Sequence, residues 1–323
     1  MHKFKAVFAA VAVAAGLMGV SPAGYAAWPG NKTVTVIIPR NAGGGVDMTA
    51  RSIVGMMQKD LGKAKFTFVN KPDNNGIAAL EELAGAKPDG YTLGMVTVEL
   101  DMFPHLGKTK FTCKDFDGII APLATPAALI VSADSNFKNL KEFVEHLKKH
   151  PGQISIGNSG AGAIWHMAAR AFEKELGVKV KHMPYPNGTA EIAEALTGGK
   201  IAATFADPLA FKNRIDAGNL RILAVMAAKR TNMFPDVPTF RELGYNLTIR
   251  AWAALAAPKG TPADVMKTLR SSAERVVKTA DFKTSFLQQG IDPTDIIGED
   301  VNKMMAEDDV MYGNFIKEIA TAK

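Results

Sequence analysis

Residues 33–62, TVTVIIPRNAGGGVDMTARSIVGMMQKDLG, decide how this chain is read. Val34 to Pro39 is a short β-branched run stopped by a proline, the pattern of a buried parallel strand. After a glycine-rich loop, Val46, Thr49, Ala50, Ile53, Val54 and Met57 fall at spacings of three and four, giving a helix with one apolar face that Gly62 closes. The layout returns at residues 153–177, QISIGNSGAGAIWHMAARAFEKELG, with Ile164, Met167, Ala168, Ala171, Phe172 and Leu176 as the stripe. Each loop brings N–H groups that lack intrahelical partners to the positive end of a helix dipole. Two such ends in one chain predict a clamp for an anion.

Working outward, strands are expected at 66–69, 91–96, 119–121, 127–131, 154–156, 178–182, 202–205, 220–225 and 249–256. Helices are expected at 77–86, 140–149, 189–196 and 209–217. The turn-rich stretch 234–239 opens a short helix, and after Pro262 the chain reads as helical nearly to its end. Alternation of this kind implies mostly parallel sheets flanked by helices. Two sheets, each with its own glycine loop, imply two lobes: 27–125 with 250–323, and 126–249. Crossings near 123–127 and 248–252 make the hinge.

The first 26 residues are of another kind. Lys3 and Lys5 precede an apolar run from Ala6 to Val20 and a small-residue segment, the order of a secretory signal cut after Ala26 or Ala27. The run is too short to span a bilayer, so a soluble, exported mature protein is expected. Losing Lys3 and Lys5 lowers the formal charge from +6 to +4. Basic residues are scattered among acids, which argues against nucleic acid as a partner. The single cysteine, Cys113, cannot form an internal disulfide and excludes a cysteine-based metal cluster; it reads as a packed or half-exposed thiol. No cofactor or metal is called for, and the chain reads as a monomer.

Gly43, Gly44 and Gly45 permit close approach of backbone to a ligand, but the stretch matches neither a dinucleotide fingerprint nor a phosphate loop. Asn41 and Ala42 belong to the same loop. Asp47, in the first helical turn, either holds the loop by accepting N–H bonds or meets a donor on a ligand. Arg40 at the strand end either pairs with a carboxylate or lies on the surface. On the second loop, Asn158 and Ser159 add side-chain donors to the amides of Gly160, Ala161, Gly162 and Ala163. His166 sits one turn in, as a ligand donor or a structural group, and Trp165 reads as core. Asp207, at a third strand end, binds a ligand hydroxyl or caps the next helix. Glu99, if it reaches the cleft, either balances Arg40 or selects a ligand that carries a donor, and at least one of Glu99 and Asp101 is expected to be a solvated loop acid. His146 and His150 read as surface residues, and no paired nucleophile and base stands out.

Further residues bring a family into view. Trp28-Pro29, Val36-Ile37-Ile38-Pro39, Ala42 to Asp47 with Arg51, Asn70-Lys71-Pro72, Lys87 to Leu93 and Met183-Pro184-Tyr185 resemble, in order, the extracytoplasmic solute receptors of tripartite tricarboxylate transporters, the TctC or Bug family. Leu196 to Gly199, Ala217 to Arg221, Pro235 to Thr239, Ala257-Pro258 and Gly260-Thr261-Pro262 continue the series. The resemblance implies a two-lobed, periplasmic-binding-protein-like α/β fold closing about a hinge. It also implies a small carboxylate held by the loops 39–47 and 157–166, partly through water, and delivered to a two-subunit membrane permease. Arg40 stands where the family is usually aromatic, Ala163 where a hydroxyl is common, and Glu99 where residues are small or polar. The expectation is a non-enzymatic periplasmic receptor. The alternatives are an exported hydrolase of a carboxylate or phosphate ester in the same cleft, or a sensory module that presents its solute.

Overall fold

A computed structural model describes residues 28–185, 189–289 and 291–321; the expected signal segment lies outside them. The chain runs β1 (Thr33–Ile38), α1 (Gly45–Leu61), β2 (Lys65–Asn70), α2 (Ile77–Ala84), β3 (Thr92–Thr97), β4 (Phe116–Pro126) and β5 (Ala128–Ser132). It continues α3 (Leu140–Lys149), β6 (Ser155–Asn158), α4 (Ile164–Leu176), β7 (Lys181–Pro184), α5 (Thr189–Thr197), β8 (Ala203–Ala206), α6 (Lys212–Asp216) and β9 (Leu220–Val225). It ends β10 (Arg250–Pro258), α7 (Ala263–Val277), α8 (Ala280–Gln288), β11 (Pro293–Ile297) and α9 (Glu299–Thr321).

Two sheets result, ordered β11-β4-β10-β3-β1-β2 and β7-β6-β8-β5-β9. Both are mixed. β1, β2 and β3 run parallel, as do β6, β7 and β8, while β4, β5 and β10 pair antiparallel with their neighbours because they carry the chain between sheets. Only Ala127 separates β4 from β5. At that crossing Ala127 N–H donates to Ile249 O (2.8 Å), Met226 N–H to Ala127 O (2.7 Å) and Ile249 N–H to Met226 O (3.1 Å). The carboxyl ends of β1 and β6 each open into a glycine loop and then a helix.

The apolar stripes face inward as their spacing requires. Ala50, Ile53, Val54 and Met57 of α1 pack with Val34, Val36 and Ile38 of β1, and Phe172 of α4 sits fully buried among Phe143, Phe205 and Phe240. Each of the larger of these side chains, Val, Ile, Met and Phe, contributes about 1.5–3 kcal/mol by leaving water.

Several expectations are corrected. Pro122 does not break a strand: β4 runs through it, because it falls in the irregularity where pairing with β10 shifts between Leu123 and Ile120, and a bulge needs no N–H there. The strand expected at 178–182 lies at Lys181–Pro184 on the sheet edge, since Gly177 at φ 63° ends α4 and a short connection follows. The helix expected at 209–217 divides into a 3-10 turn, Pro208–Phe211, and α6. The short helix expected to open at 234–239 does not form; a single turn, tied by Thr239 and Glu242 bonding each other's backbone, stops at Gly244 with φ 89°. β11 interrupts the C-terminal helices, its unremarked apolar pair Ile296–Ile297 pairing with Ala121 and Ile120. Among the described residues no helix is long and apolar enough to cross a membrane.

Phe172→Ala is expected to destabilise the protein by about 3–5 kcal/mol, read as a lower urea midpoint with an unchanged slope.

Candidate ligand-binding site

The two glycine loops share one local geometry. In the first, Gly43 takes φ 77° and donates its N–H to Asp47 Oδ2 (2.9 Å), while Gly44 N–H reaches Asn41 O (3.3 Å). In the second, Gly162 takes φ 80° and donates to His166 Nδ1 (3.2 Å), while Ala163 N–H reaches Gly160 O (3.1 Å). The residues before the helices, Gly44 and Ala163, have φ/ψ of −78°/166° and −85°/165°. Asp47 and His166 are both third residues of their helices. Each acts as a latch that reaches back one turn to hold its loop.

These bonds consume the N–H groups of Gly43, Gly44, Gly162 and Ala163, and Gly160 N–H donates to Asn158 Oδ1 (3.0 Å). These loop amides, expected to grip a ligand, therefore bind the loops themselves; in the second loop, where Gly160, Gly162 and Ala163 are buried, the backbone donors must be paired. The groups without an acceptor inside their helices are the first-turn amides of Gly45, Val46 and Asp47 in α1 and of Ile164, Trp165 and His166 in α4.

The latches differ in charge. Asp47 is buried, which pushes its carboxyl up, but hydrogen bonds from Arg51 (2.9 Å), Gly43 N–H and Asn70 Nδ2 (2.9 Å) outweigh this and hold it below its ordinary value. It is an anion at the start of α1, paired with Arg51. His166 is pushed down to about 4 by burial, with His182 and Arg170 adding to the effect. Because Gly162 N–H occupies Nδ1, the neutral ring carries its proton on Nε2. Behind it Asn158 Nδ2 faces His182 Nδ1 (3.5 Å), and His182 Nε2 meets Glu173 Oε2 (3.1 Å). Burial pushes Glu173 up, yet His182, Val180 N–H and Arg170 bring it below the usual carboxylate range.

Arg40 does not lie free on the surface. It meets Glu99 Oε2 (2.7 Å), and its guanidinium also donates to Asn75 O (2.7 Å), Pro39 O (3.0 Å) and Thr97 Oγ1 (3.4 Å). Gly76, at φ 86°, is required beside it, since a Cβ there would lie 2.6 Å from Pro39 O. The expected solvated acid is absent: Glu99 and Asp101 are both buried, at 5% and 0% exposure, because the 3-10 turn Val98–Asp101 folds inward under α9. Cys113 is likewise buried rather than half-exposed. Asp207 caps the 3-10 turn through Leu209 N–H (2.9 Å), and burial pushes it up to about 6 against that bond. Among the described residues the buried Ser159 hydroxyl has no partner.

Sequence reasoning missed what joins the two sides. Lys108 Nζ, in the segment after β3, donates to Ala161 O (3.0 Å), and Leu106 packs so closely on Gly162 that a Cβ there would lie 2.6 Å from it. Neither residue has a motif; only the fold brings them to the second loop. A cavity of about 390 Å³ opens elsewhere, beside the crossing, lined by Thr125, Leu209, Met226, Lys229, Arg250 and Pro293 among others. No glycine-loop residue lines it, and Asn232 bonds Asp292 (2.9 Å) at its wall. The loops are the better candidate, because their donors are oriented by built hydrogen bonds.

Comparison with known proteins gives the family and the fold. The model of the tripartite tricarboxylate transporter family receptor matches residues 49–321. The chain belongs to this family. A Bordetella pertussis protein is 32% identical over 314 residues, 96% of each chain. The crystal structure of a TctC solute binding protein from Polaromonas superposes with a TM-score of 0.77 at 32% identity, covering 90% of this chain and 99% of that one. An R. palustris protein solved with adipate superposes at 0.79 and 24% identity, covering 90% and 97%. The fold and family are those of solute-binding receptors.

The low value of His166 sets a pH test. The native ring stays neutral where the unfolded one, near 6.5, takes a proton, so this residue's contribution is complete above 6.5 and falls away as pH drops toward 4. His166→Asn keeps an acceptor for Gly162 N–H without a titrating ring. Its melting temperature is expected to decline less than that of the unmodified protein between pH 6.5 and 4, read by scanning calorimetry; parallel declines would remove His166 as the titrating latch.

Proposed function

We propose that the chain is an exported receptor that closes on a small organic carboxylate, leaves it chemically unchanged and passes it, as a monomer, to a two-subunit membrane permease. Its signal segment, residues 1–26, is removed after Ala26 or Ala27 and the mature protein works in the periplasm. The lobes are residues 27–125 with 250–323, and residues 126–249. The observation that carries this reading is the matched pair of helix starts, one at the end of β1 and one at the end of β6, each held open by a latch. A carboxylate between them satisfies first-turn amides from both helices and lies at the positive end of both dipoles. The adipate held by the R. palustris neighbour supports the ligand class.

In this reading the ligand lies among Arg40, Asn41, Ala42, Gly43, Gly44, Asp47 and Glu99 on one side. On the other stand Asn158, Ser159, Gly160, Ala161, Gly162, Ala163, His166 and Asp207. Ser159 Oγ and His166 Nε2–H supply side-chain donors. A ligand that touches both sides favours the closed form over the open one, which is what a permease can read.

A thermal-shift series of mono-, di- and tricarboxylates is expected to contain at least one that raises the melting temperature and reduces the radius of gyration of the mature protein. No shift across the series, or a shift with unchanged scattering, would overturn the reading. Glu99 spends much of the charge of Arg40, so Glu99→Gln is expected to tighten binding of a dicarboxylate about tenfold, near 1.4 kcal/mol, and Arg40→Ala to weaken it more than that of a neutral analogue. Equal effects on charged and neutral ligands, measured by calorimetry, would take the pair out of the site.

A further inference from the structure

Behind the candidate site, Asp101 ends the 3-10 turn after β3 with no exposure at all, and neither of its carboxylate oxygens has a hydrogen-bond partner among the described residues. A carboxylate in that state is costly. Arg250 relieves its charge through space but makes no hydrogen bond to it. Cys113 Sγ and an oxygen of Asp309 face it, and the three donor atoms lie within 4.8 Å of one another. The neighbouring acid, Asp308, is already committed to Trp252 Nε1 (2.8 Å) and Arg250 (3.2 Å).

We propose that Asp101, Cys113 and Asp309 form a site for one divalent transition-metal ion of the zinc class, with His105 holding Asp309 from outside. One thiolate with two carboxylates is a donor set for a borderline-soft ion, not for calcium or magnesium. A tetrahedral ion at about 2.0–2.3 Å from each ligand draws the donors in slightly from their present spacing. His105 Nε2 lies 2.7 Å from Asp309 Oδ1, the outer contact that orients a metal-bound carboxylate. Its seat is shaped for it: a Cβ at Gly313, one turn beyond Asp309 on α9, would come within 2.6 Å of the ring. His105 and Asp309 are about a quarter exposed, 25% and 24%, and give the ion a way in.

Without an ion Asp101 and Cys113 keep their protons. Burial, with Asp308 and Asp309, pushes Asp101 well up, and burial, with Asp101 and Asp309, pushes the Cys113 thiol up to about 12. Binding displaces the protons of Asp101 and Cys113 to water and leaves two carboxylates and a thiolate around a dication. The single cysteine suffices, because this is a mixed set and not a cysteine cluster. The ion ties the turns at Val98–Asp101 and Cys113–Asp115 to α9, and the inference does not depend on the carboxylate reading.

The test uses the mature protein without a polyhistidine tag, stripped with a chelator and dialysed. One equivalent of Zn²⁺ is expected to remain bound after gel filtration and to raise the melting temperature by several degrees. Co²⁺ in its place is expected to give a thiolate-to-cobalt charge-transfer band that Cys113→Ser lacks. Asp101→Asn matches the shape of the protonated acid, so in chelator it melts at or above the unmodified protein and gains nothing from Zn²⁺. Absence of the cobalt band overturns the proposal, and so does a zinc shift that persists in both variants, which reports ions on surface carboxylates only.

Discussion

Two glycine N–H groups, those of Gly43 and Gly162, each donate to a side chain four residues on, and the rest of the site follows from that bond. It holds a positive φ that glycine tolerates at the turn from strand to helix, and the first-turn amides of α1 and α4 that follow have no acceptor inside their helices. The acceptors are chemically unlike. Asp47 brings a negative charge, partly returned by Arg51, to the start of α1, whereas neutral His166 leaves the start of α4 uncompensated. The second loop is therefore the more attractive end for an anion.

Around these loops the two sheets are joined as well as separated. The chain passes between them at Ala127 and Ile249, where Met226 completes a small hydrogen-bonded knot. Away from the knot, Lys108 reaches Ala161, Asn232 reaches Asp292, and Lys174 of α4 pairs with Glu318 of α9. Such contacts at the surface are each worth little, so they bias the arrangement without locking it.

The long last helix serves both sheets. Asp308 of α9 takes the indole N–H of Trp252 and the guanidinium of Arg250 at the start of β10, next to the crossing. Tyr312, one turn on, is fully buried beside them. The acids of the 3-10 turn after β3 are drawn under this helix, which is why a segment that reads as a solvated loop is interior. Glu99 pairs with Arg40 while Asp101 meets Asp309, so one short turn serves both the candidate site and the helix side.

Apolar spacing and glycine placement determined the strands β1, β8 and β9, the helix α3, the stripes of α1 and α4 and the repeated loop, because these are local properties. Asp47 as a loop-holding group, Glu99 balancing Arg40 and Trp165 as core followed from the same reading. Strand β11, the passage of β4 through Pro122 and the inward fold of Asp101 depended on which neighbours the rest of the chain supplies. So did the approach of Lys108 to Ala161 and the use of His166 Nδ1 as an acceptor. Those are pairings between residues far apart in the chain, or the choice of one hydrogen-bond partner among several. Residue type permits many such pairings; only packing in three dimensions selects one.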